Sequence, residues 1–245
     1  MSALVVRAYR LLRVDAWART RIGERLFLAA FFAYKRWLED PHAAFARRHP
    51  EVFAGGHLFD VGANAGYTAS VFARAISPGF RVFAFEPEAV NYARLERVIA
   101  ARRLQGVVTP VRTAIGDVDG VAALQRNPHH PGDHRIADEG EERVPIARLD
   151  TFAAGLRPVK FVKIDVQGHE LAVSRGTTGL IDDNPGLEVS CEYTGSQELL
   201  RFYQERGFRL YVLRRDGELL PLEAADAVVR RRGYCDLFVT RRTLA

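Results

Sequence analysis

The stretch His57-Leu58-Phe59-Asp60-Val61-Gly62-Ala63-Asn64-Ala65-Gly66 decides how this 245-residue chain folds. Its first half is an apolar run of strand length, and its second half consists of small residues and glycines that favour a tight turn. A segment with helical spacing of apolar side chains follows, through residue 76. A strand, a glycine-bearing turn and a helix in this order begin an α/β unit.

The next apolar run, residues 80–86, ends at Glu86, where a carboxylate can accept hydrogen bonds from both hydroxyls of a ribose. A dinucleotide-binding turn would carry a second glycine where this chain has Asn64. The two features therefore favour an adenosyl ligand without phosphates. A nicotinamide cofactor is the alternative, because a glycine-rich turn followed by an acidic strand end also occurs in dehydrogenases.

Strand-like and helix-like segments alternate along the rest of the chain, which predicts one mostly parallel sheet covered on both faces. The last two strands have little predicted helix between them, so we expect an antiparallel edge strand there. Residues 114–150 are the least regular part and are expected to form an insertion with turns. The predicted strands lie near 57–62, 80–86, 107–113, 159–165, 187–193, 208–213 and 234–240, and the predicted helices at 66–76, 88–104, 168–182 and 196–206.

Composition is that of an ordinary globular protein, with 48% hydrophobic and 27% charged residues. Cys191 and Cys235 show neither a disulfide framework nor zinc-ligand spacing, and a cytoplasmic location is the simplest expectation. The basic excess lies in residues 1–50, which hold ten Arg/Lys against four Asp/Glu. No nucleic-acid module is recognisable.

Residues 1–50 have helical periodicity and are expected to form an N-terminal helical cap, with residues 51–245 as the catalytic domain. The apolar stretch Leu26 to Tyr34 is too short to span a bilayer. Its flanking arginines leave two interpretations open, a solvated basic face or a peripheral contact with a membrane surface. A homodimer contact is a further option.

Four motifs resemble the FkbM family of methyltransferases. The resemblance extends from about residue 57 to 213, which is most of the chain, and the motifs that carry it are Asp60-Val61-Gly62-Ala63-Asn64-Ala65-Gly66-Tyr67-Thr68, Phe85-Glu86-Pro87, Ala114-Ile115-Gly116-Asp117 and Lys163-Ile164-Asp165-Val166-Gln167-Gly168-His169-Glu170. The resemblance implies a class I, Rossmann-like methyltransferase fold with a seven-stranded sheet, and S-adenosylmethionine as the cofactor.

The same resemblance assigns cofactor-binding residues motif by motif. It places Glu86 and Pro87 on the ribose, the turn from Ala114 to Asp117 near the adenine, and Asp165 near the sulfur. The expected contacts of the methionine part are Asp60, Gly62, Ala63, Asn64, Gly66 and Thr68. One position departs from the family, because Gln167 stands where Glu is common, and an amide cannot act as a base.

Asp165 ends the strand at 159–164, so its carboxylate is the first candidate for a catalytic base; capping of the following helix is the alternative role. His169, four residues later, is a second catalytic candidate. Glu192 ends the next strand along the sheet and is a candidate substrate contact. Asp165, His169 and Glu192 could together hold a divalent metal, although no ligand spacing requires one.

The loop Asn127-Pro128-His129-His130-Pro131-Gly132-Asp133-His134-Arg135 is the most unusual cluster in the sequence. Histidine titrates near neutral pH, so His134 is a candidate general base. His129, His130, His134 and Arg135 are candidate substrate contacts. A solvated polar loop is the plainer interpretation.

From these features we expect an S-adenosylmethionine-dependent methyltransferase that acts on an oxygen of a small molecule, a sugar, a glycolipid or a natural product. Oxygen follows from the resemblance alone, and nitrogen or carbon remains open. An NAD-dependent oxidoreductase and a catalytically silent binding protein are the alternatives.

Overall fold

The seven strands expected from the sequence are all present in the computed structural model, which describes residues 21–127 and 134–243. The strands are β1 His57–Val61, β2 Val82–Phe85, β3 Val108–Val111, β4 Ala114–Ile115, β5 Gly120–Gln125, β6 Arg135–Ala137, β7 Glu142–Ala147, β8 Val159–Ile164, β9 Glu188–Tyr193, β10 Arg209–Leu213, β11 Leu219–Pro221 and β12 Cys235–Thr240. The α-helices are α1 Arg21–Tyr34, α2 His42–Arg48, α3 Tyr67–Ala75, α4 Ala89–Ala101, α5 Leu149–Phe152, α6 Glu170–Arg175, α7 Thr178–Asp183, α8 Gln197–Gln204 and α9 Ala225–Arg232.

The large sheet has eight strands in the order β11-β10-β12-β9-β8-β1-β2-β3, one more than the seven expected, because the short strand β11 pairs with β10. Five adjacent strands, β3, β2, β1, β8 and β9, run parallel to one another. Strand β12 runs antiparallel to both of its neighbours, β9 and β10. The antiparallel β12 therefore lies inside the sheet, and the edge is formed by the short antiparallel β11. The strand order reverses between β1 and β8, which is where open α/β sheets bind their ligands.

Residues 114–150 are more regular than their sequence indicates. They form a second sheet, in the order β4-β7-β5-β6, which is antiparallel except for the β4–β7 pair. A small core of Ala114, Leu124, Val144 and Ile146 holds this sheet together. The expectation of an irregular insertion was wrong because β4 and β6 have only two and three residues and the burial of β5 does not alternate, so the sequence shows no clear strand period there.

Two helical expectations also need correction. The helix expected at 168–182 is two helices, α6 and α7, which separate at Gly176; a Cβ there would lie 1.9 Å from the carbonyl oxygen of Gly116. The connection between β10 and β12 contains α9, which the sequence analysis missed. Ala225 is its only buried residue, so its sequence lacks the apolar stripe that marks a packed helix.

The N-terminal segment joins the main core through α2. Its Phe45 is fully buried and packs edge-to-face against Phe53 and Phe238. Between α1 and α2 the chain makes a π-helical turn, Lys35–Glu39. Within the described residues no helix is long and apolar enough to cross a membrane.

Candidate active site

Backbone hydrogen bonds connect the turn after β1 to the end of β2. The amides of Gly62 and Ala63 both donate to the carbonyl of Phe85, at 3.1 and 2.9 Å. The amide of Asn64 donates to Oε2 of Glu86 at 2.8 Å. Asn64 adopts a left-handed backbone with φ of 49°, and its side-chain oxygen accepts from the amide of Ala65. The cofactor turn and the acidic strand end predicted from the sequence are thus one unit.

The two glycines of this turn are required by contacts within the chain. Gly62 has φ of +77°, and a Cβ there would stand 1.9 Å from the carbonyl oxygen of Asp165. Gly66 has φ of +83°, and its Cβ would stand 2.7 Å from Cδ1 of Leu95. The two glycines thus allow the backbone of the turn to lie close to the residue that follows β8 and to α4. Close approach of the same backbone to a ligand remains a prediction.

Glu86 is buried and forms no ion pair with a basic side chain among the described residues. Its Oε1 accepts from the amide of Glu88 at 3.0 Å, and its Oε2 accepts from Asn64. Burial raises the pKa of Glu86 to about 7, against the two backbone donors. Pro87, between the two acids, has no amide hydrogen to offer. Each carboxylate oxygen of Glu86 has a further lone pair that can accept a hydrogen bond, and the two hydroxyl groups of a ribose can donate such bonds.

Asp60 lies beneath the turn rather than on it. It is completely buried, and its Oδ1 stands 3.2 Å from Nζ of Lys163, although neither oxygen makes a hydrogen bond of good geometry. Lys163 also donates to the carbonyl of Gly62 at 2.9 Å and lies 3.5 Å from Oδ2 of Asp165. Asp60 therefore supports the site through Lys163, which the sequence analysis did not single out.

Asp165 follows β8 directly, and its amide donates to the carbonyl of Val61 at 3.1 Å. Burial would raise the pKa of its carboxyl, but Lys163, Lys35 and a hydrogen bond from Gln167 outweigh burial and lower it. Asp165 is therefore ionised at neutral pH. It stands at the reversal point of the strand order, between the cofactor turn and the end of β9.

Gln167 joins two carboxyl groups. Its amide nitrogen donates to Oδ1 of Asp165 at 3.0 Å and to Oε2 of Glu192 at 3.3 Å. A glutamate here would place a third acid between them, so the amide fits this arrangement of charges. Burial, with Asp165 and Asp236 nearby, raises the pKa of Glu192 to about 9, and this carboxyl group therefore carries a proton at neutral pH.

A small cleft opens beside Glu192. It is lined by Gly168 and Glu170 on one side and by Thr194 and Ser196 on the other. Asp236 is the cross-strand partner of Glu192, and burial raises its pKa to about 6. Leu171 and Leu199 also line the cleft, and Glu192 is the predicted substrate contact in its wall, connected to Asp165 through Gln167.

His169 lies on the other side of the β8 loop, beside the Ala114–Asp117 turn. A Cβ at Gly116 would stand 3.0 Å from its Nε2, and this nitrogen is buried without a hydrogen-bond partner. Burial lowers the pKa of His169 in spite of Asp117, so the ring is neutral. Its position favours contact with the expected adenine site over the catalytic role predicted from sequence.

The candidate metal ligands do not come together as a set. Gln167 connects Asp165 to Glu192, whereas His169 faces Gly116. Across the described ranges no three His, Cys, Asp or Glu side chains are arranged to hold a metal ion.

The histidine loop is described only at its ends, and His129 and His130 lie outside the described residues. Nδ1 of His134 accepts from the amide of Asn127 at 3.1 Å, which closes the neck of the loop, and Arg135 begins β6. Arg126, just before the loop, pairs with the buried Glu88 at 2.6 Å. The loop therefore emerges next to the end of β2, and the catalytic role of His134 remains a prediction.

The N-terminal segment contributes polar residues that the sequence analysis did not identify. Asp40 accepts from the hydroxyl of Thr68 at 3.3 Å, and His42, paired with Asp40, lies 3.0 Å from the hydroxyl of Ser190. Lys35 pairs with Glu39 at 2.9 Å, and its charge acts on Asp165. The rarity of lysine was the sequence signal that could have indicated these residues, because only three of the 35 Lys and Arg residues are lysines. Two of the three, Lys35 and Lys163, interact electrostatically with Asp165.

This strand order, with an antiparallel strand between the last two parallel ones and a ligand turn at the reversal point, defines the class I methyltransferase fold. The profile of the methyltransferase FkbM domain matches residues 60–210, and the chain belongs to that family.

Relatives support the same assignment. The chain is 32% identical to the hexuronic acid methyltransferase AglP of Haloferax volcanii over 51% of each chain. It is 28% identical to the 31-O-demethyl-FK506 methyltransferase FkbM of Streptomyces tacrolimicus over 70% of this chain and 76% of that protein.

In structure, the chain is similar to the methyltransferase FkbM from Methylobacillus flagellatus KT. The TM-score is 0.53 at 15% identity, with 85% of this chain and 50% of that chain covered, which shows a shared fold. The alignments thus span about half the length of AglP and of the Methylobacillus protein.

Proposed function

We propose that this protein transfers a methyl group from S-adenosylmethionine to a hydroxyl oxygen of a sugar or natural-product acceptor. The observation that carries the proposal is the ionised Asp165, held at the strand-order reversal between the cofactor turn and the Glu192 cleft. The named activities of AglP and of the Streptomyces FkbM protein support a sugar-like or polyketide-like acceptor.

The residues present fit an adenosyl cofactor. Glu86 offers free lone pairs at a buried strand end, and Nε2 of His169 is a buried, unpartnered polar atom beside the Ala114–Asp117 turn. Glu86 would hold the ribose hydroxyls, and His169 would meet the adenine edge. When bound, the cofactor supplies a methyl group on a positively charged sulfur.

Asp165 takes the proton of the acceptor hydroxyl in this proposal. Lys163 and Gln167 keep its carboxylate ionised and fix its direction, so that it can accept a proton at Oδ1 or Oδ2. A positioned base of this kind contributes about 10²–10⁴-fold to the rate. Alignment of the hydroxyl with the methyl group contributes the rest.

Glu192 orients the acceptor without competing for the proton. Its carboxyl group is protonated at neutral pH, so it can donate a hydrogen bond to an acceptor oxygen in the cleft. Gln167 keeps Glu192 and Asp165 at a fixed separation.

The first experiment tests the cofactor by thermal shift. We expect S-adenosylhomocysteine to raise the melting temperature and NAD to leave it unchanged, because only a ligand of the native state stabilises it. Stabilisation by NAD alone would replace the proposal with the oxidoreductase alternative.

The second experiment tests transfer. Hexoses, hexuronic acids, alkyl glycosides and macrolide alcohols are offered as acceptors, and the formation of S-adenosylhomocysteine is measured. Asp183→Asn is the matched control for Asp165→Asn, since Asp183 pairs with Arg157 on the exposed surface. Cofactor binding without transfer to any of these acceptors would favour the silent binding protein.

A further inference from the structure

The π-helical turn after α1 exposes two large apolar side chains side by side. Trp37 is 65% and Leu38 is 59% exposed. Ile22 and Leu26 are also exposed, one turn apart on α1. Of the seven large apolar side chains that are exposed in the described part of the chain, these four lie in one segment, Arg21 to Glu39.

Three exposed arginines lie near Trp37 and the end of α1. Arg36 precedes Trp37, and the guanidinium of Arg215 donates to the carbonyl of Trp37. Arg232 acts electrostatically on Tyr34, at the end of α1. None of these three arginines forms an ion pair with an acid within residues 21–127 and 134–243. We call Arg36, Trp37, Leu38, Arg215 and Arg232 the Trp37 patch.

We propose that the Trp37 patch docks on an anionic lipid surface. Tryptophan combines an apolar ring with a polar N–H and prefers the headgroup level of a bilayer, where leucine can enter the acyl boundary. Arginines beside these apolar side chains can bind phosphate headgroups, and each positive charge near the surface contributes about 1 kcal/mol to the binding free energy. The patch presents both features together.

Other occupants fit the patch less well. In a twofold dimer through this surface the same patch would face itself, so its arginines would repel each other. Nucleic acid would pair with the arginines but would leave Leu38, Ile22 and Leu26 in water. A lipid surface satisfies the charge and the apolar side chains at once.

The patch is fixed to the rim of the active site. Asp40, the residue that ends the π turn, bonds to Thr68 behind the cofactor turn, and His42 bonds to Ser190 on β9. Docking would hold the site beside the bilayer. An acceptor carried on a lipid would then be within reach, a consequence that rests on the proposed function.

The test is sedimentation of the full chain with phosphatidylcholine vesicles, with and without phosphatidylglycerol. We expect binding only to the anionic vesicles, and weaker binding as salt is raised. Trp37→Ser combined with Leu38→Ser should lower the partition coefficient at least about tenfold, since each side chain loses its apolar burial. Arg36→Gln combined with Arg232→Gln should lower it about thirtyfold, since two charges are removed.

Val118→Ser combined with Val121→Ser is the matched control, because these two side chains are 55% and 60% exposed and lie away from the patch. All substitutions are on the surface, so circular dichroism should stay unchanged. The proposal is overturned if anionic vesicles do not bind the protein, or if the valine control loses as much binding as the Trp37 variant. It is equally overturned if the Trp37 variant abolishes a dimer or nucleic-acid binding and leaves vesicle binding intact.

Discussion

Gly62 is the position where one added methyl group should do the most damage. Its φ of +77° is a backbone conformation that costs a residue with a side chain about 1–2 kcal/mol. A Cβ would also stand 1.9 Å from the carbonyl oxygen of Asp165, and this residue is held by the bond from its amide to Val61. Forcing atoms into a packed site costs about 1–3 kcal/mol more. We therefore expect Gly62→Ala to lower the free energy of unfolding by about 2–5 kcal/mol.

Gly79→Ala separates the two causes. Gly79 has φ of +89° and nothing within 4 Å of its Cβ position, so its substitution carries the backbone cost alone. Urea unfolding of both variants, monitored by circular dichroism, gives the two free energies. The Gly62 variant should lose about 1–3 kcal/mol more than the Gly79 variant. Equal losses would refute the argument that β1 and β8 are locked together at this glycine.

The same clash should move the cofactor turn and Asp165 apart. Titration calorimetry with S-adenosylhomocysteine should therefore show weaker binding for Gly62→Ala and unchanged binding for Gly79→Ala. Binding of wild-type strength by a destabilised Gly62→Ala protein would mean that the turn adapts without help from β8.

Three further predictions concern the charged groups of the site. Asp165→Asn should lower kcat by about 10²–10⁴-fold while S-adenosylhomocysteine binding stays within about threefold, and a matching loss of binding would make Asp165 a positioning residue instead. Glu86→Gln should weaken S-adenosylhomocysteine binding by about tenfold or more, since one acceptor oxygen of the ribose hydroxyls is lost. It should also lower the free energy of unfolding in urea by about 1–3 kcal/mol, because the amide nitrogen of glutamine cannot accept from the backbone N–H of Asn64 or Glu88. The pKa of Glu192 is raised to about 9 in the native state from its ordinary value of 4.5. Between these two pH values the native protein therefore keeps the carboxyl proton of Glu192, whereas the unfolded chain releases it. The stability of the ligand-free protein should accordingly fall as pH rises between these values, and Glu192→Gln should flatten that dependence in urea unfolding at several pH values.

The sequence predicted the large sheet well because its central strands, β2, β1, β8, β9 and β12, are buried on both faces. Runs such as His57–Val61 and Val159–Ile164 are nearly continuous in burial, and this leaves a clear apolar signal. The strands β4 to β7 give a weak signal, since β4 and β6 have only two and three residues and β5 buries two consecutive residues instead of alternate ones. Helix α9 gives almost none, because one buried alanine makes no stripe.

The candidate site was predictable where one short segment contains all of its parts. The turn from Asp60 to Gly66 and the acid at Glu86 could be located from spacing alone. Lys163 could not, because a lysine inside an apolar strand does not reveal that Asp60 and Asp165 flank it in space. Lys35, His42 and Asp236 come from segments that are distant in sequence, and only the packing of the N-terminal segment on the sheet and the pairing of β12 with β9 bring them to the rim.

The amino-acid sequence by itself determined the α/β class, the cofactor turn and the family, since these depend on local periodicity and on motifs that are contiguous. Only the tertiary structure decided what each group does. Gly62 meets Asp165, Gln167 separates two carboxyl groups, His169 turns toward Gly116, and Trp37 remains in solvent among arginines. Burial and neighbouring charges set the ionisation of a side chain, and both depend on residues that are brought near it by the fold.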